Sequence, residues 1–212
     1  VRWGSKSWYA LLMAIMVLVT VDVLLNGPLR HLDGVVHRFN DAYVQGGWFD
    51  LVYVCAKFGQ RGDLLYIIGP LAGLAALRAR SLRYPLMAAA IVIVLSGLQL
   101  GLKAVIPRTF PISNTDVLFH GGTAYPSGHT LNGFVLEWMI FELLVVALPA
   151  LRGPFTPLRR RNLAVVTGFI AGAGLTLTDY HWLTDVLFSL ALGLILLDIV
   201  IRLRPFTRDV PQ

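Results

Sequence analysis

The sequence predicts an all-α polytopic membrane protein: six transmembrane helices with an amphipathic segment on the outer face. Composition and charge placement carry this prediction. The 212 residues are 56% apolar and 14% charged, whereas a soluble domain is nearer about 25% charged. The apolar residues fall into blocks close to the length a bilayer demands. The basic residues divide unevenly between alternate loops, 12 of 18 on one side, which gives an orientation as well as a class.

A helix needs about 20 residues to cross a bilayer. Residues 7–25, 61–77, 84–102, 130–148, 163–177 and 182–201 are the candidate spans, of which the second and fifth are short. The first could be mistaken for a signal peptide, but Asp22 and the lack of a small-residue cleavage site argue for a retained span. Residues 28–60 are too polar to cross. They carry Leu32, Val35, Val36, Phe39 and Tyr43 at helical spacing, with His31, Asp33, His37 and Arg38 between them. This pattern predicts an amphipathic helix lying on the outer membrane surface, broken at Gly46-Gly47. It would serve as a gate for a membrane-borne substrate or as a simple anchoring linker. Residues 105–125 read as a loop rich in turn formers and polar donors, among them Pro107, Arg108, Pro111, Asn114, Asp116, His120, Gly121 and Gly122. Residues 1–204 thus form one six-helix unit, followed by a polar tail over 205–212. Trp3, Trp8, Tyr9, Trp48 and Trp182 suit an aromatic belt, while Trp138 lies too deep and packs.

The net charge of +6 raises nucleic acid as a partner, and its distribution answers against that. Arg2, Lys6, Arg78, Arg80, Arg83, Arg152, Arg159, Arg160, Arg161, Arg202, Arg204 and Arg208 lie on one side, and Arg30, Arg38, Lys57, Arg61, Lys103 and Arg108 on the other. The first group sets both termini in the cytoplasm and meets anionic membrane lipid. The single cysteine, Cys55, excludes an intrachain disulfide and a cysteine-based metal cluster.

Two short runs carry the chemistry. Tyr125-Pro126-Ser127-Gly128-His129 places a hydroxyl, a flexible backbone and an imidazole at the mouth of the fourth span. His181 and Asp185, four residues apart, share a helix face. A carboxylate one turn from an imidazole can hold its tautomer and raise its basicity. By the predicted topology Lys103, Arg108, Ser127, His129, His181 and Asp185 meet at one depth, at the outer interface. Two histidines, one paired with a carboxylate, suit phosphoryl transfer through a phosphohistidine, one attacking phosphorus and the other protonating the leaving oxygen.

These residues resemble the membrane branch of the type 2 phosphatidic acid phosphatase and haloperoxidase superfamily, whose signature is Lys-x6-Arg-Pro, Pro-Ser-Gly-His and Ser-Arg-x5-His-x3-Asp. The middle part is complete at residues 126–129, the third keeps His181 and Asp185, and the first keeps Lys103 and Pro111. Arg108 stands where many members carry an additional arginine. The resemblance implies that His181 is the nucleophile, Asp185 its orienting partner and His129 the general acid. It implies that Lys103, Arg108, Ser127 and the Gly128 amide hold phosphate oxygens, and that no metal or other cofactor is needed. The implied partner is a lipid phosphate, phosphatidate-like or polyprenyl, met at the extracytoplasmic face of the plasma membrane. The superfamily's vanadate-dependent halide oxidation belongs to soluble members and does not suit so apolar a chain.

The chain departs from the signature at both arginines, where Phe110 and Leu175 stand, and Gly174 replaces the serine. Asp179, two residues before His181, adds a negative charge beside the expected phosphate, and would suit a substrate hydroxyl or a cation. A head-group phosphotransferase is therefore a second reading, because some transferases, sphingomyelin synthase among them, keep the histidines and aspartate without the arginines. A non-catalytic lipid-binding relative is a third, opposed by the intact His129, His181 and Asp185. Elsewhere, His31, His37 and His120 read as surface residues, and Arg61-Gly62-Asp63 as a helix entry. Lys103 could also snorkel from a helix end, and Ser127 could cap one. Glu137, Glu142 and Asp22, ionisable groups within spans, have no assigned role.

Overall fold

The computed structural model describes residues 2–206, so residues 207–212 of the expected tail lie outside it. Among the described residues eight α-helices follow in order: α1 (Lys6–Leu24), α2 (Pro28–Tyr43), α3 (Gly47–Lys57), α4 (Arg61–Ala79), α5 (Arg83–Val105), α6 (Gly128–Ala147), α7 (Pro157–Leu177) and α8 (Leu183–Leu203). Two short 3₁₀ turns, Pro111–Ser113 and Pro149–Leu151, lie in the loops. Of the helices, α1, α4, α5, α6 and α8 are long and apolar enough to cross a membrane. The fifth expected span is also a helix, α7, but it carries Arg159, Arg160 and Arg161 in its first turns and does not qualify by composition.

The helix starts follow from their capping chemistry. Ser5 accepts from the Trp8 amide at 3.2 Å to open α1, and Thr156 accepts from the Arg159 amide ahead of Pro157 to open α7. Asp22 is not free within the first span. Its carboxylate accepts the Leu29 and Arg30 amides, so it caps α2 across the turn.

Nearly every residue of α6 is buried, because α4, α7 and α8 pack around it. A helix so buried must satisfy its ionisable groups internally, and Glu142 does so with Arg160 at 2.8 Å. The α6–α7 contact is close because Gly133 faces Gly168, where an added Cβ would lie 3.0 Å from the facing Cα. α1 runs antiparallel to α8: Trp3 Nε1 donates to Asp198 at 2.8 Å at one end, and Thr20 meets Tyr125 at 2.7 Å at the other. Phe206, within the expected polar tail, is buried between Tyr84 and Trp138.

The amphipathic segment is two helices, divided at Gly46, whose φ of +55° favours glycine. Its orientation is the main surprise. α2 turns Leu32, Val35, Phe39 and Tyr43 outward, and buries Asp33 and Asn40 against α7 and α8. The polar face roofs the bundle end where α5 finishes and α6 and α8 begin. α3 packs on α7 so closely that a Cβ at Gly174 would lie 2.4 Å from the Ala56 amide nitrogen. The absence of a side chain at 174 therefore has a packing reason.

Candidate active site

The site is assembled by three chain ends under the α2–α3 roof. Ser127 caps α6, accepting from the Thr130 amide at 3.4 Å and its hydroxyl at 2.9 Å. That places His129 in the first turn. The α7–α8 connection folds back so that the His181 amide donates to the Leu175 carbonyl at 3.1 Å, and the Ser127 amide donates to the Asp185 carbonyl at 3.3 Å. The two motif segments are thus stitched together by backbone. The His129 and His181 rings lie 6.4 Å apart between centroids. His181 is buried, with Nδ1 3.5 Å from Asp185 Oδ2. That is longer than a hydrogen bond, and such contacts are often loose before substrate arrives. Asp185 also accepts the Trp182 amide at 3.0 Å, so the carboxylate that faces the histidine closes the first turn of α8.

Arg108 is the centre of this architecture, in a role that differs from the expected one. It is fully buried. Its guanidinium donates to Asp185 at 2.8 Å, to Asp33 at 2.7 Å, to Asp116 at 2.7 and 2.8 Å and to Thr184 at 2.7 Å. All three nitrogens are occupied by acceptors from α2, the loop and α8, so the guanidinium stands behind the histidine pair instead of offering free donors to a phosphate. Trp182 lies over it, 5.1 Å from ring centroid to Cζ, and donates from Nε1 to the Thr109 carbonyl. Arg30 adds a second cation, 2.7 Å from Asp116. These contacts hold the Asp116 carboxyl below its ordinary value although burial alone would raise it. Asp33 goes the other way, because burial outweighs Arg108 and Thr184.

The remaining expected residues separate into those at the site and those beside it. Lys103 donates to the Thr123 carbonyl at the mouth of the loop. Gly128 packs on Gln99, whose Nε2 donates to its carbonyl at 3.3 Å. Phe110, at the first missing arginine, sets its ring edge-on to His181 at 5.6 Å. Leu175, at the second, lines a small cavity of about 90 Å³ with Tyr53, Lys57, Gln60, His129 and Tyr180.

Asp179 faces α2. Asn40 Nδ2 donates to it at 2.8 Å, and His37 Nδ1 lies 3.2 Å away. His37 is therefore not an unpartnered surface histidine: Nε2 meets Asn114 at 2.8 Å and Asp41 at 3.6 Å. Burial alone would lower its pKa, but Asn114, Asp179 and Asp41 together raise it. Burial raises that of Asp179 despite Asn40 and His37. Ligand atoms of His37, Asp41 and Asp179 lie within 4.8 Å of one another and could hold a metal ion.

Sequence reasoning missed Asp33, Asp116, Thr184, Lys57 and Arg61. One signal was available for the last two. They belong to the six cations on the side where the charge rule disfavours them, and a charge kept against that rule needs a reason.

No curated protein sequence matches the chain significantly. The fold is similar to the crystal structure of a transmembrane PAP2-type phosphatidylglycerolphosphate phosphatase from Bacillus subtilis. The TM-score is 0.74 and the identity 18%, over 99% of this chain and 100% of that one. The PAP2 superfamily model matches residues 82–209, which include both histidines, Asp185 and the Pro-Ser-Gly-His turn. The chain belongs to the PAP2 superfamily.

Proposed function

We propose that the chain is an integral membrane lipid phosphate phosphatase that hydrolyses a phosphomonoester through a phosphohistidine on His181. The observation that carries this reading is the pair of imidazoles 6.4 Å apart, one backed by the Asp185 carboxylate, at one end of an apolar bundle. Asp185 faces Nδ1, which leaves Nε2 for phosphorus. Attack by Nε2 forms the P–N bond as the bond from phosphorus to the lipid oxygen breaks, and His129 gives that oxygen its proton. Water then attacks phosphorus, His129 takes the proton, the P–N bond breaks and phosphate leaves. Lys103 and the first turn of α6, opened by Ser127 and Gly128, hold phosphate oxygens. Arg108 acts through Asp185 as a positioning residue.

The fold neighbour's substrate, phosphatidylglycerolphosphate, supports a lipid phosphomonoester, whether phosphatidate-like or polyprenyl. The site end lies opposite the ends that carry most of the arginines, which supports an extracytoplasmic site, cytoplasmic termini and α7 as a sixth crossing. Brief reaction with a ³²P-labelled lipid phosphomonoester should leave acid-labile label on the protein. His181→Ala should abolish it, and turnover retained by that variant would defeat the assignment.

A second reading, head-group transfer from a phosphodiester, is favoured by the apolar Phe110 and Leu175 and by the occupied guanidinium of Arg108. A diester carries less charge and needs fewer cations. The ratio of free phosphate to exchanged head group, over a panel of mono- and diesters, decides between the two.

A further inference from the structure

Gly59 seats the α3–α4 turn directly on the first turn of α6. A Cβ there would lie 2.0 Å from the His129 carbonyl oxygen, and Asn132 Nδ2 donates to the Gly59 carbonyl at 3.0 Å. The two cations that flank this glycine, Lys57 and Arg61, are carried to the mouth of α6 by that contact. Lys57 lines the same small cavity as His129 and Leu175. Arg61 Nη2 donates to Gln99 Oε1, and the same Gln99 side chain reaches the Gly128 carbonyl. Lys103, from the end of α5, completes a set of three cations at this end of α6, its Cε 3.8 Å from where a Cβ on Gly128 would lie. Among these, Lys57 lies 5.2 Å from the Tyr53 ring centroid and 3.6 Å from Asp63, a partly exposed carboxylate. Arg61 is engaged by a neutral amide, which leaves its charge uncompensated there.

We propose that Lys57 and Arg61 bind the substrate phosphoryl group, supplying from the α3–α4 turn the positive charge that Phe110, Leu175 and the occupied Arg108 do not. The inference rests on the reading of the site as one for phosphate esters. A phosphomonoester brings up to two negative charges into the cavity, and cations placed around it stabilise both the bound ester and the released phosphate. Weak substrate and product binding is therefore the expected defect when either is lost.

The experiment measures kcat, KM and product inhibition by inorganic phosphate for dioctanoyl phosphatidate hydrolysis in detergent micelles. Lys57→Ala and Arg61→Ala should each raise KM and the phosphate inhibition constant roughly tenfold or more, the range of a lost hydrogen bond to a charged group. Arg61→Lys and Lys57→Arg should keep most of the affinity, which separates charge from folding. Leu175→Arg, which puts a guanidinium in the lining of the same cavity, should restore affinity to Lys57→Ala. Asp63→Asn should leave KM unchanged or lower it, because it frees Lys57. Normal KM and normal phosphate inhibition in both alanine variants would overturn the inference while leaving the phosphatase reading intact. So would equal damage from Asp63→Asn and Lys57→Ala, the mark of a merely structural pair. A wild-type protein that neither hydrolyses phosphomonoesters nor is inhibited by phosphate would overturn both readings.

Discussion

Asp33 of α2 and Arg108 of the α5–α6 loop meet at 2.7 Å, and neither side chain is exposed to solvent. The same guanidinium grips Asp185 at 2.8 Å, so α2 is tied through one arginine to the carboxylate that faces His181. Removing one partner of a buried ion pair typically costs about 3–5 kcal/mol, because the other charge stays buried alone. Losing Arg108 strips Asp33 and Asp185 of their guanidinium, while Asp116 keeps Arg30.

Arg108→Ala should therefore lower the stability of the detergent-solubilised protein by about 3 kcal/mol or more. Asp33→Asn should cost less, because the amide still accepts a hydrogen bond. Arg108→Lys should lose kcat more than phosphate inhibition, because a single ammonium cannot span acceptors from three elements. Chemical denaturation and product inhibition measure the two effects. A loss of phosphate binding with unchanged stability would return Arg108 to the phosphate.

His129 should matter in proportion to the basicity of the leaving group. His129→Ala should slow hydrolysis of an alkyl lipid phosphate by roughly 10²–10⁴-fold, the usual worth of a positioned acid. It should slow p-nitrophenyl phosphate much less, because that leaving oxygen needs no proton. Equal losses on both substrates would remove His129 from the acid role.

The α2 clamp on the His181 loop should tighten on the acid side. The folded pKa of His37 is raised, so its contribution is complete below the unfolded value of about 6.5 and is lost as pH rises through the folded value. Asp179 is also raised, by burial, so its ionisation works in the same direction. The melting temperature of the wild type should exceed that of His37→Gln most near pH 6, and the gap should narrow above neutrality. A gap that stays constant from pH 5.5 to 8.5 would rule out the titration.

Cysteines placed at Ile112 and Gly153, both exposed, test the orientation in a Cys55-free background. Ile112→Cys should react with a membrane-impermeant thiol reagent in intact cells, and Gly153→Cys should react only after permeabilisation. The reverse pattern would move the site to the cytoplasmic face.

The histidine pair was legible because its determinants are local. His181 and Asp185 are one helical turn apart, and Ser127 caps the helix that carries His129. What escaped is set by contacts between distant segments. Nothing near Arg108 in the chain announces that Asp33, 75 residues earlier, will take up its guanidinium. Nothing near Gly59 announces that Asn132, 73 residues later, will reach its carbonyl. His37 looked solitary because its two nearest partners, Asn114 and Asp179, come from two later loops. The α2 periodicity was read correctly as amphipathic. A moment gives the separation of the two faces and not which of them turns inward, and here the answer depends on the solvent outside.

That inverted helix couples the site to its surroundings. With Leu32, Val35, Phe39 and Tyr43 outward and Asp33, His37 and Asn40 inward, α2 is insoluble on its outer side and hydrogen-bonded on its inner one. Water therefore penalises the docked helix twice, by wetting its apolar side and by competing for the bonds that hold it. Lipid relieves both. On that reading, the end that holds the proposed active site is less a part that a bilayer would surround than one the bilayer would finish. Harsh delipidation should release α2 and silence the enzyme while the helices around α6 stay folded.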